Sequence, residues 1–271
     1  MYKKFTRIWT KRIPLIKISK RQKFVTSIVI LSLLLFLSEN LFGRWGIYII
    51  VTVAVLTDLF LFWAIRSDLK EKHSLQIFIL PFFYSLAFGL FYFLVPARFL
   101  TRIVMTTLYA FGLYSLFLSQ NIFAVSTIRT IALLSSARTV SFIAALVSYF
   151  FLSNVTFSLH TNVFVTLFFV FAFSFPLVLQ CIWTYAMEKN FLISITWSAI
   201  LSVTLVEASL ILWFFPTAPT IIALFLTGFF YIIVGISQIW LERRLFKNIM
   251  WEYVWVAVIV FLIFVVFTIK G

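Results

Sequence analysis

From residue 24 to its C-terminus the chain repeats one physical unit, an apolar stretch of about 20 residues closed by a short polar break. The hydrocarbon core of a bilayer is about 30 Å thick, and about 20 helical residues cross it, so each unit predicts a transmembrane helix. Short breaks make successive helices antiparallel neighbours. The predicted fold class is therefore all-α, a polytopic transmembrane helix bundle of about nine spans. The spans are predicted at 24–41, 45–65, 76–95, 103–119, 140–157, 163–183, 191–215, 220–239 and 254–269.

The composition excludes a soluble globular domain. Hydrophobic residues make up 63% of the chain, against roughly 45–50% apolar residues in a typical soluble domain. The mean hydropathy is +1.12, and a soluble protein with this composition would expose large apolar patches and aggregate. The breaks leave no room for a separate soluble domain. The predicted organisation is a basic cytoplasmic segment on the membrane surface, 1–23, followed by one transmembrane domain, 24–271.

Basic residues are concentrated on one predicted side of the membrane. Nine precede the first span, and with nine crossings eighteen of the 22 fall on that side, against four on the other. Cytoplasmic loops carry the excess of Lys and Arg, so the N-terminus is expected in the cytoplasm and the C-terminus outside. The formal charge of +14 then predicts contact with anionic lipid at the cytoplasmic face, and no contact with nucleic acid.

One segment, 120–138, is amphipathic instead of uniformly apolar. Apolar residues recur three apart along it, and polar residues that include Arg129 and Arg138 lie between them. Arg129 would cost several kcal/mol at the centre of the bilayer, and a crossing here would move later basic loops outside. We therefore expect an interfacial amphipathic helix that lies on the membrane and runs into the fifth span.

Two acidic residues fall well inside apolar spans, Asp58 in the second and Glu207 in the seventh. Each lies about 10 Å from the nearer end of its helix. A carboxylate at that depth must be protonated, paired or beside water, so each residue is a candidate functional site. The alternatives for both are a structural pair and an ion or proton path.

Arginines near the helix ends are candidate charge partners for the two carboxyls. Such pairs would fix the register of the helices without contacting a substrate. The candidates are Arg129 and Arg138 for Asp58 on the cytoplasmic side, and Arg98 and Arg102 for Glu207 on the outer side.

The seventh span carries four serines at helical spacing. A period of 3.6 residues places them within about 80° of one another, while Glu207 lies on a different face near Thr196. A helix that is polar on two faces has little surface left for lipid, so we expect it at the centre of the bundle. Serines let helices approach closely and bond to each other, at about 0.6 kcal/mol per bond, and a polar cavity lining is the alternative. The serines are Ser194, Ser198, Ser202 and Ser209.

Patterns that support catalysis or cofactor binding are scarce. The sequence contains no H-E-x-x-H zinc motif and no G-x-S-x-G nucleophile turn. The single cysteine, Cys181, lies in an apolar span with no histidine nearby in sequence and is expected to be a packed thiol. No cofactor and no metal are predicted. A membrane-embedded enzyme that acts on lipid or lipid-linked substrates is the alternative function.

The stretch Lys17-Ile-Ser-Lys-Arg-Gln-Lys-Phe24 leads directly into the apolar residues 25–40. It resembles the start of uncharacterised bacterial multi-pass membrane proteins of unknown function. The resemblance implies a bacterial inner membrane and assigns no functional residue.

The predicted function is that of a non-enzymatic integral membrane protein, either a small carrier or a membrane scaffold. A carrier requires a water-accessible cavity that reaches Asp58 or Glu207. A scaffold requires an apolar surface that fits a partner, and protein partners or a homo-oligomer are then expected.

Overall fold

The structure is a computed structural model. It describes residues 19–42, 46–66, 75–96, 98–126, 133–186, 191–241 and 247–270. Within these ranges there are nine α-helices, and each contains a stretch long and apolar enough to cross a membrane. The helices are α1 (Lys20–Phe42), α2 (Gly46–Ile65), α3 (Gln76–Leu94), α4 (Phe99–Ser126), α5 (Leu134–Ser158), α6 (Val163–Ala186), α7 (Phe191–Trp213), α8 (Pro219–Leu241) and α9 (Lys247–Lys270).

The prediction of an all-α polytopic bundle is confirmed for the described chain. Most helix ends lie within about four residues of the predicted spans, as expected when boundaries come from hydropathy alone. The exceptions are the end of α4 and the starts of α5 and α9, where the helices extend further than predicted.

The interfacial helix expected at 120–138 is not a separate element in the part of the chain that the structure describes. Residues 120–126 are the last turns of α4 and 134–138 begin α5, while the residues between them lie outside the described ranges. Residues 120–126 continue α4 instead of lying on the membrane because Gln120 has a hydrogen-bond partner inside the bundle. Gln120 is fully buried, and its side-chain oxygen accepts a hydrogen bond from Nε2 of Gln180 at 3.5 Å. A polar residue that bonds to another helix stays inside the bundle and lets α4 continue.

The helices alternate in direction, so α1, α3, α5, α7 and α9 begin at one end of the bundle and the other four finish there. The Lys23 ammonium of α1 lies 4.8 Å from the centre of the Trp63 ring near the end of α2. At the same end Phe123 of α4 packs edge-on against Trp183 of α6. Most of the described basic residues gather here, and we call it the basic end. They are Lys20, Arg21, Lys23, Arg66, Arg138 and Lys247.

The bundle consists of two packed groups of helices, α1–α4 and α5–α8. In the first group α1 and α3 each pack against both α2 and α4. In the second group α5, α6 and α7 all contact α8, and α7 also packs against α6. Contacts of α3 with α5 and α6, and of α4 with α5, join the two groups. The last helix, α9, packs against α8 and leaves most of its side chains exposed.

Large aromatic side chains fill the interior of the bundle. Tyr109, Tyr149, Phe117 and Phe230 are all fully buried, and the rings of Tyr149 and Phe230 lie 4.5 Å apart between centres. Aromatic pairs contribute about 0.5–1.5 kcal/mol beyond the area they bury. Lipid is as apolar as the side chains, so close packing of this kind is what drives membrane helices together.

Two glycines seven residues apart set the distance between α8 and α9. A Cβ added to Gly228 would lie 2.6 Å from Val260, and one added to Gly235 would lie 2.6 Å from the Tyr253 ring. The missing side chains leave a groove on α8 that accepts both residues, as small residues commonly do between membrane helices. This contact holds a helix that is otherwise exposed.

Candidate functional site

One face of α7 is buried against the bundle. The helix packs most extensively against α6, and the Ser198 hydroxyl donates to the Ser194 carbonyl oxygen at 2.6 Å. The Ser202 hydroxyl donates to the Ser198 carbonyl oxygen, also at 2.6 Å. These hydroxyls are satisfied within their own helix, so the serines contribute their small size to the α6–α7 contact. All four serines on this face are buried: Ser194, Ser198, Ser202 and Ser209.

The position of α7 differs from the expectation. The helix lies at the edge of the bundle, in contact with α6 and α8, and not at the centre. Helical spacing relates its two polar faces to each other but carries no information on what either face contacts. A second polar face therefore does not require a second buried one. We call the outward side the exposed α7 face, and it consists of Thr196, Ile200, Val203, Glu207 and Ile211.

Glu207 lies in the middle of the exposed α7 face. It is six residues before the end of the helix, about 9 Å from the end of the bundle opposite the basic end. Its side chain is exposed and makes no hydrogen bond or ion pair with any residue that the structure describes. Neither Arg98 nor Arg102, at the start of α4, is therefore brought to it. Ionisable residues inside membranes almost always face the bundle interior, a cavity or a partner.

Arg138, a candidate partner of Asp58, is engaged elsewhere. Its Nε–H donates to the Thr184 carbonyl oxygen at 3.0 Å, and its guanidinium lies 4.5 Å from the centre of the Tyr185 ring. A cation at this place complements the carbonyl end of α6 and stacks on an aromatic face. The other candidate, Arg129, lies outside the described residues.

Asp58 lies on α2 along the seam with α3. It is seven residues before the end of the helix at the basic end, and its side chain is half-buried. Its Oδ1 atom is buried and has no hydrogen-bond partner among the described residues. One turn further along α2, Phe62 contacts Phe78 of α3 with 6.3 Å between ring centres. Helical spacing places Asp58 beside that contact.

A chain of buried hydroxyls begins at the residue next to Asp58. The hydroxyl oxygens of Thr57 on α2 and Ser85 on α3 are 2.8 Å apart. Ser85 is in turn 2.9 Å from the hydroxyl oxygen of Tyr109 on α4. All three side chains are buried, and the chain ties three helices together at about 0.6 kcal/mol per bond. No local pattern predicts this chain of hydroxyls, because each hydroxyl finds its partner on a different helix.

A groove opens between α1 and α4 on the outer surface of the bundle. Its volume is about 360 Å³, and its lining is largely apolar. It contains neither Asp58 nor Glu207. Its walls include Val25, Ile28 and Val29 of α1 and Ala110, Phe111 and Tyr114 of α4.

The described residues form no cluster suited to a metal ion. Among them no three His, Cys, Asp or Glu side chains come together, and Cys181 is a buried free thiol. The polar groups that the helices do bring together are hydroxyls and amides. Such groups suit hydrogen bonds between helices better than ligation of a transition metal.

A family model matches the chain over most of its length. The matching family model, which covers residues 26–267, is described as a protein of unknown function, DUF5656. The chain belongs to the DUF5656 family. No curated protein and no solved structure matches this DUF5656 chain.

The family match extends well beyond the stretch that carries the sequence resemblance. It begins at residue 26, so it leaves out the basic stretch 17–24 and includes every candidate residue from Asp58 to Ser209. It confirms membership of an uncharacterised family for the DUF5656 chain as a whole.

The DUF5656 chain also brings three buried glutamines together near the basic end. Besides the bond between Gln120 and Gln180, Gln238 of α8 donates to the Cys181 carbonyl oxygen of α6 at 3.2 Å. Nε2 of Gln120 and Oε1 of Gln180 are buried without a partner among the described residues. Glutamines within apolar spans are a sequence signal for bonds between helices, and a search restricted to carboxyls misses it.

Proposed function

We propose that this DUF5656 protein is a non-enzymatic membrane scaffold whose exposed α7 face binds the transmembrane helix of a partner protein. The observation that carries the proposal is Glu207, an ionisable side chain that faces away from its own bundle within a span. An acidic residue at the centre of a membrane helix costs about 2.5–3.5 kcal/mol. A partner helix that supplies a hydrogen-bond donor or a cation lowers that cost.

The residues around Glu207 define the chemistry of the partner. Ile200, Val203 and Ile211 surround the carboxyl with branched apolar side chains that suit packing against another helix. The partner helix is apolar apart from one Lys, Arg, Asn, Gln, Ser or Thr at the depth of the carboxyl. Polar side chains of this kind bond across helices in membranes.

The interior favours a scaffold over a carrier. The groove between α1 and α4 opens sideways, and neither intramembrane carboxyl lines it. Buried aromatic side chains such as Tyr109 and Tyr149 occupy the centre of the bundle. A scaffold needs a surface for a partner, which the exposed α7 face provides.

The protein is further proposed to reside in the bacterial cytoplasmic membrane with its N-terminus in the cytoplasm. The gathering of basic residues at one end of the bundle supports this orientation. With nine crossings the C-terminus then lies outside, and Glu207 lies nearer the outer face. Alkaline phosphatase fused after Gly271 is expected to be active. Activity there of a reporter that works only in the cytoplasm would contradict the orientation.

A photoreactive amino acid at Val203 tests the scaffold proposal in intact cells. Val203 is 46% exposed near the middle of α7, and Val55, which is 45% exposed near the middle of α2, is the matched control. Position 203 is expected to form a covalent adduct with another protein, and position 55 with lipid alone. The cross-linked peptide is expected to come from an apolar span with a hydrogen-bond donor or cation level with Glu207.

Substitution of Glu207 separates specific binding from crowding in the membrane. Glu207→Leu should lower the yield of the adduct at position 203 about threefold, because a hydrogen bond of about 0.6 kcal/mol between helices is lost. Glu207→Gln should retain the adduct where the partner supplies a hydrogen bond, and lose it where the partner supplies a cation. Equal yields at positions 203 and 55, or yields that do not depend on residue 207, would contradict the proposal.

Asp58 favours a second candidate function, a carrier of protons. Its buried Oδ1 atom has no partner among the described residues, and the hydroxyl chain that starts at Thr57 runs beside it. Carboxyls beside polar side chains within a span mark proton relays. Asp58→Asn keeps the size of the side chain, so loss of proton flux into dye-loaded vesicles with unchanged unfolding would support a carrier. Equal flux in the variant and the wild type would make Asp58 a structural residue.

A further inference from the structure

The groove between α1 and α4 is continued towards the basic end by a positive charge. Along α1 its lining residues Val25, Ile28, Val29 and Ser32 share one helix face. Arg21 lies one turn before Val25 on that same face. It is exposed and makes no hydrogen bond or ion pair with any residue that the structure describes. A guanidinium available for a ligand is thus aligned with an apolar groove.

The α4 wall places one available hydroxyl at the same end of the groove. Tyr114 is half-buried, and its hydroxyl forms no hydrogen bond with another described residue. By contrast, the hydroxyls of Ser32 and Thr107 donate to carbonyl oxygens of their own helices at 3.1 and 2.7 Å. The hydroxyl oxygen of Thr106, deeper in the groove, has no partner among the described residues, but it is buried. The lining hydroxyl nearest the basic end is therefore that of Tyr114, and the rest of the lining is largely apolar.

A ring contact fixes the order of these groups along the membrane normal. Phe24 of α1 packs edge-on against Phe117 of α4 with 5.9 Å between ring centres. Arg21 lies three residues from Phe24 on the side of the basic end, and Tyr114 lies three residues from Phe117 on the side of the bundle centre. The two are therefore about 9 Å apart along the axis. From the membrane surface inward, the order is cation, hydroxyl and apolar groove.

We propose that the α1–α4 groove binds one anionic phospholipid. Its phosphate lies at Arg21, its glycerol ester groups lie at the Tyr114 hydroxyl, and one acyl chain follows the apolar wall beyond them. The order of groups in a phospholipid matches the order in the groove, and charge complementarity at Arg21 selects an anionic headgroup. This site is independent of the partner proposed for α7.

The size of the groove favours an acyl chain over a transmembrane helix. A helical segment about 10 Å across and 15 Å long occupies about 1,200 Å³. All the space between the protein atoms of the groove, including the open space at its mouth, is about 730 Å³. A helix would therefore lie largely outside the groove, whereas a single flexible chain fits within it.

Native mass spectrometry of the full-length protein tests the site. The protein is released from nanodiscs that contain equal amounts of phosphatidylglycerol and phosphatidylcholine. The wild type is expected to retain one phosphatidylglycerol molecule after the surrounding lipids are removed. Arg21→Gln should lower the affinity for that molecule about fivefold, the effect of one basic residue near an anionic headgroup. Ala110→Leu, which fills the groove from α4, should lower it as well.

Arg66→Gln is the matched control. Arg66 is exposed at the same end of the bundle, at the end of α2 and away from the groove, and it also has no partner among the described residues. Its substitution should leave the affinity within about twofold of the wild type, since exposed groups outside the site contribute little. Equal losses of lipid affinity in the two arginine variants would show that anionic lipid is attracted to the basic end in general, and would overturn the site. Full retention of the lipid by Ala110→Leu would overturn it too.

Discussion

The contact between Gly112 of α4 and Tyr84 of α3 predicts a large effect from a single methyl group. The Tyr84 hydroxyl lies over Gly112, where an added Cβ would collide with it. The same hydroxyl donates to the Leu108 carbonyl oxygen at 3.4 Å. The Tyr84 ring also stacks on Tyr109, with 5.9 Å between centres. Gly112→Ala therefore has to displace a ring that supports the buried hydroxyl chain.

We expect Gly112→Ala to lower the free energy of unfolding by about 2 kcal/mol. Overpacking a tight interior costs about 1–3 kcal/mol. The lost hydrogen bond of Tyr84 adds about 0.6 kcal/mol in a membrane protein. The higher helix propensity of Ala over Gly offsets about 0.8–1.0 kcal/mol of this.

Reversible unfolding in mixed micelles with increasing SDS measures the effect. Tyr84→Phe removes the oxygen nearest to the new methyl group and leaves only the ring carbon Cζ in close contact, at 2.8 Å. Alone it should cost about 0.6 kcal/mol. In the Tyr84→Phe background, Gly112→Ala should cost less than about 1 kcal/mol, which gives a coupling of at least about 1 kcal/mol. Additive costs in the double variant, within about 0.3 kcal/mol, would refute the contact.

Three further predictions concern the packing of the outer helices. Ser202→Leu should lower the free energy of unfolding by about 1–3 kcal/mol because it overpacks the α6–α7 contact. Val203→Leu should leave the free energy of unfolding within about 0.5 kcal/mol of the wild type. Equal costs would contradict the assignment of Ser202 to the buried face of α7 and Val203 to the exposed one. Gly235→Leu should push the Tyr253 ring of α9 away from α8 and so increase the rate of amide hydrogen exchange in α9. An unchanged exchange rate would argue against the contact between Gly235 and Tyr253. Gln238→Ala should raise the rate at which maleimide labels Cys181, because it removes a buried side chain that is bonded to the Cys181 carbonyl oxygen. A labelling rate equal to that of the wild type would show that Gln238 does not shield the thiol.

Helix positions were predictable because hydropathy depends on residues that are close in sequence. The observed α2, Gly46–Ile65, differs by one residue from the predicted span, since polar residues bound its apolar stretch on both sides. The prediction is wrong at the end of α4, where the amphipathic pattern places Gln120 in a surface helix. The residue that keeps Gln120 in the bundle is Gln180, on another helix, and no local pattern connects the two.

The candidate site, too, was predictable only as far as the local spacing of its residues determines it. Spacing determines that Ser198 and Ser202 share a face and that Glu207 lies on another, because helix geometry alone fixes those angles. Which face is buried depends on where α6 and α8 pack, and the sequence of α7 does not contain that information. The bond between Thr57 and Ser85 likewise exists only because α2 and α3 meet at that level.

The scaffold proposal requires that a partner covers the exposed α7 face in the native membrane. A nitroxide attached to Val203→Cys, in a Cys181→Ser background, reports this because a neighbouring helix restricts the motion of the label. In native membrane vesicles we expect an immobilised spectrum at position 203 and a mobile one at Val55→Cys, and Glu207→Leu should make the label at position 203 mobile. Equal mobility of the labels at positions 203 and 55 would contradict the proposal.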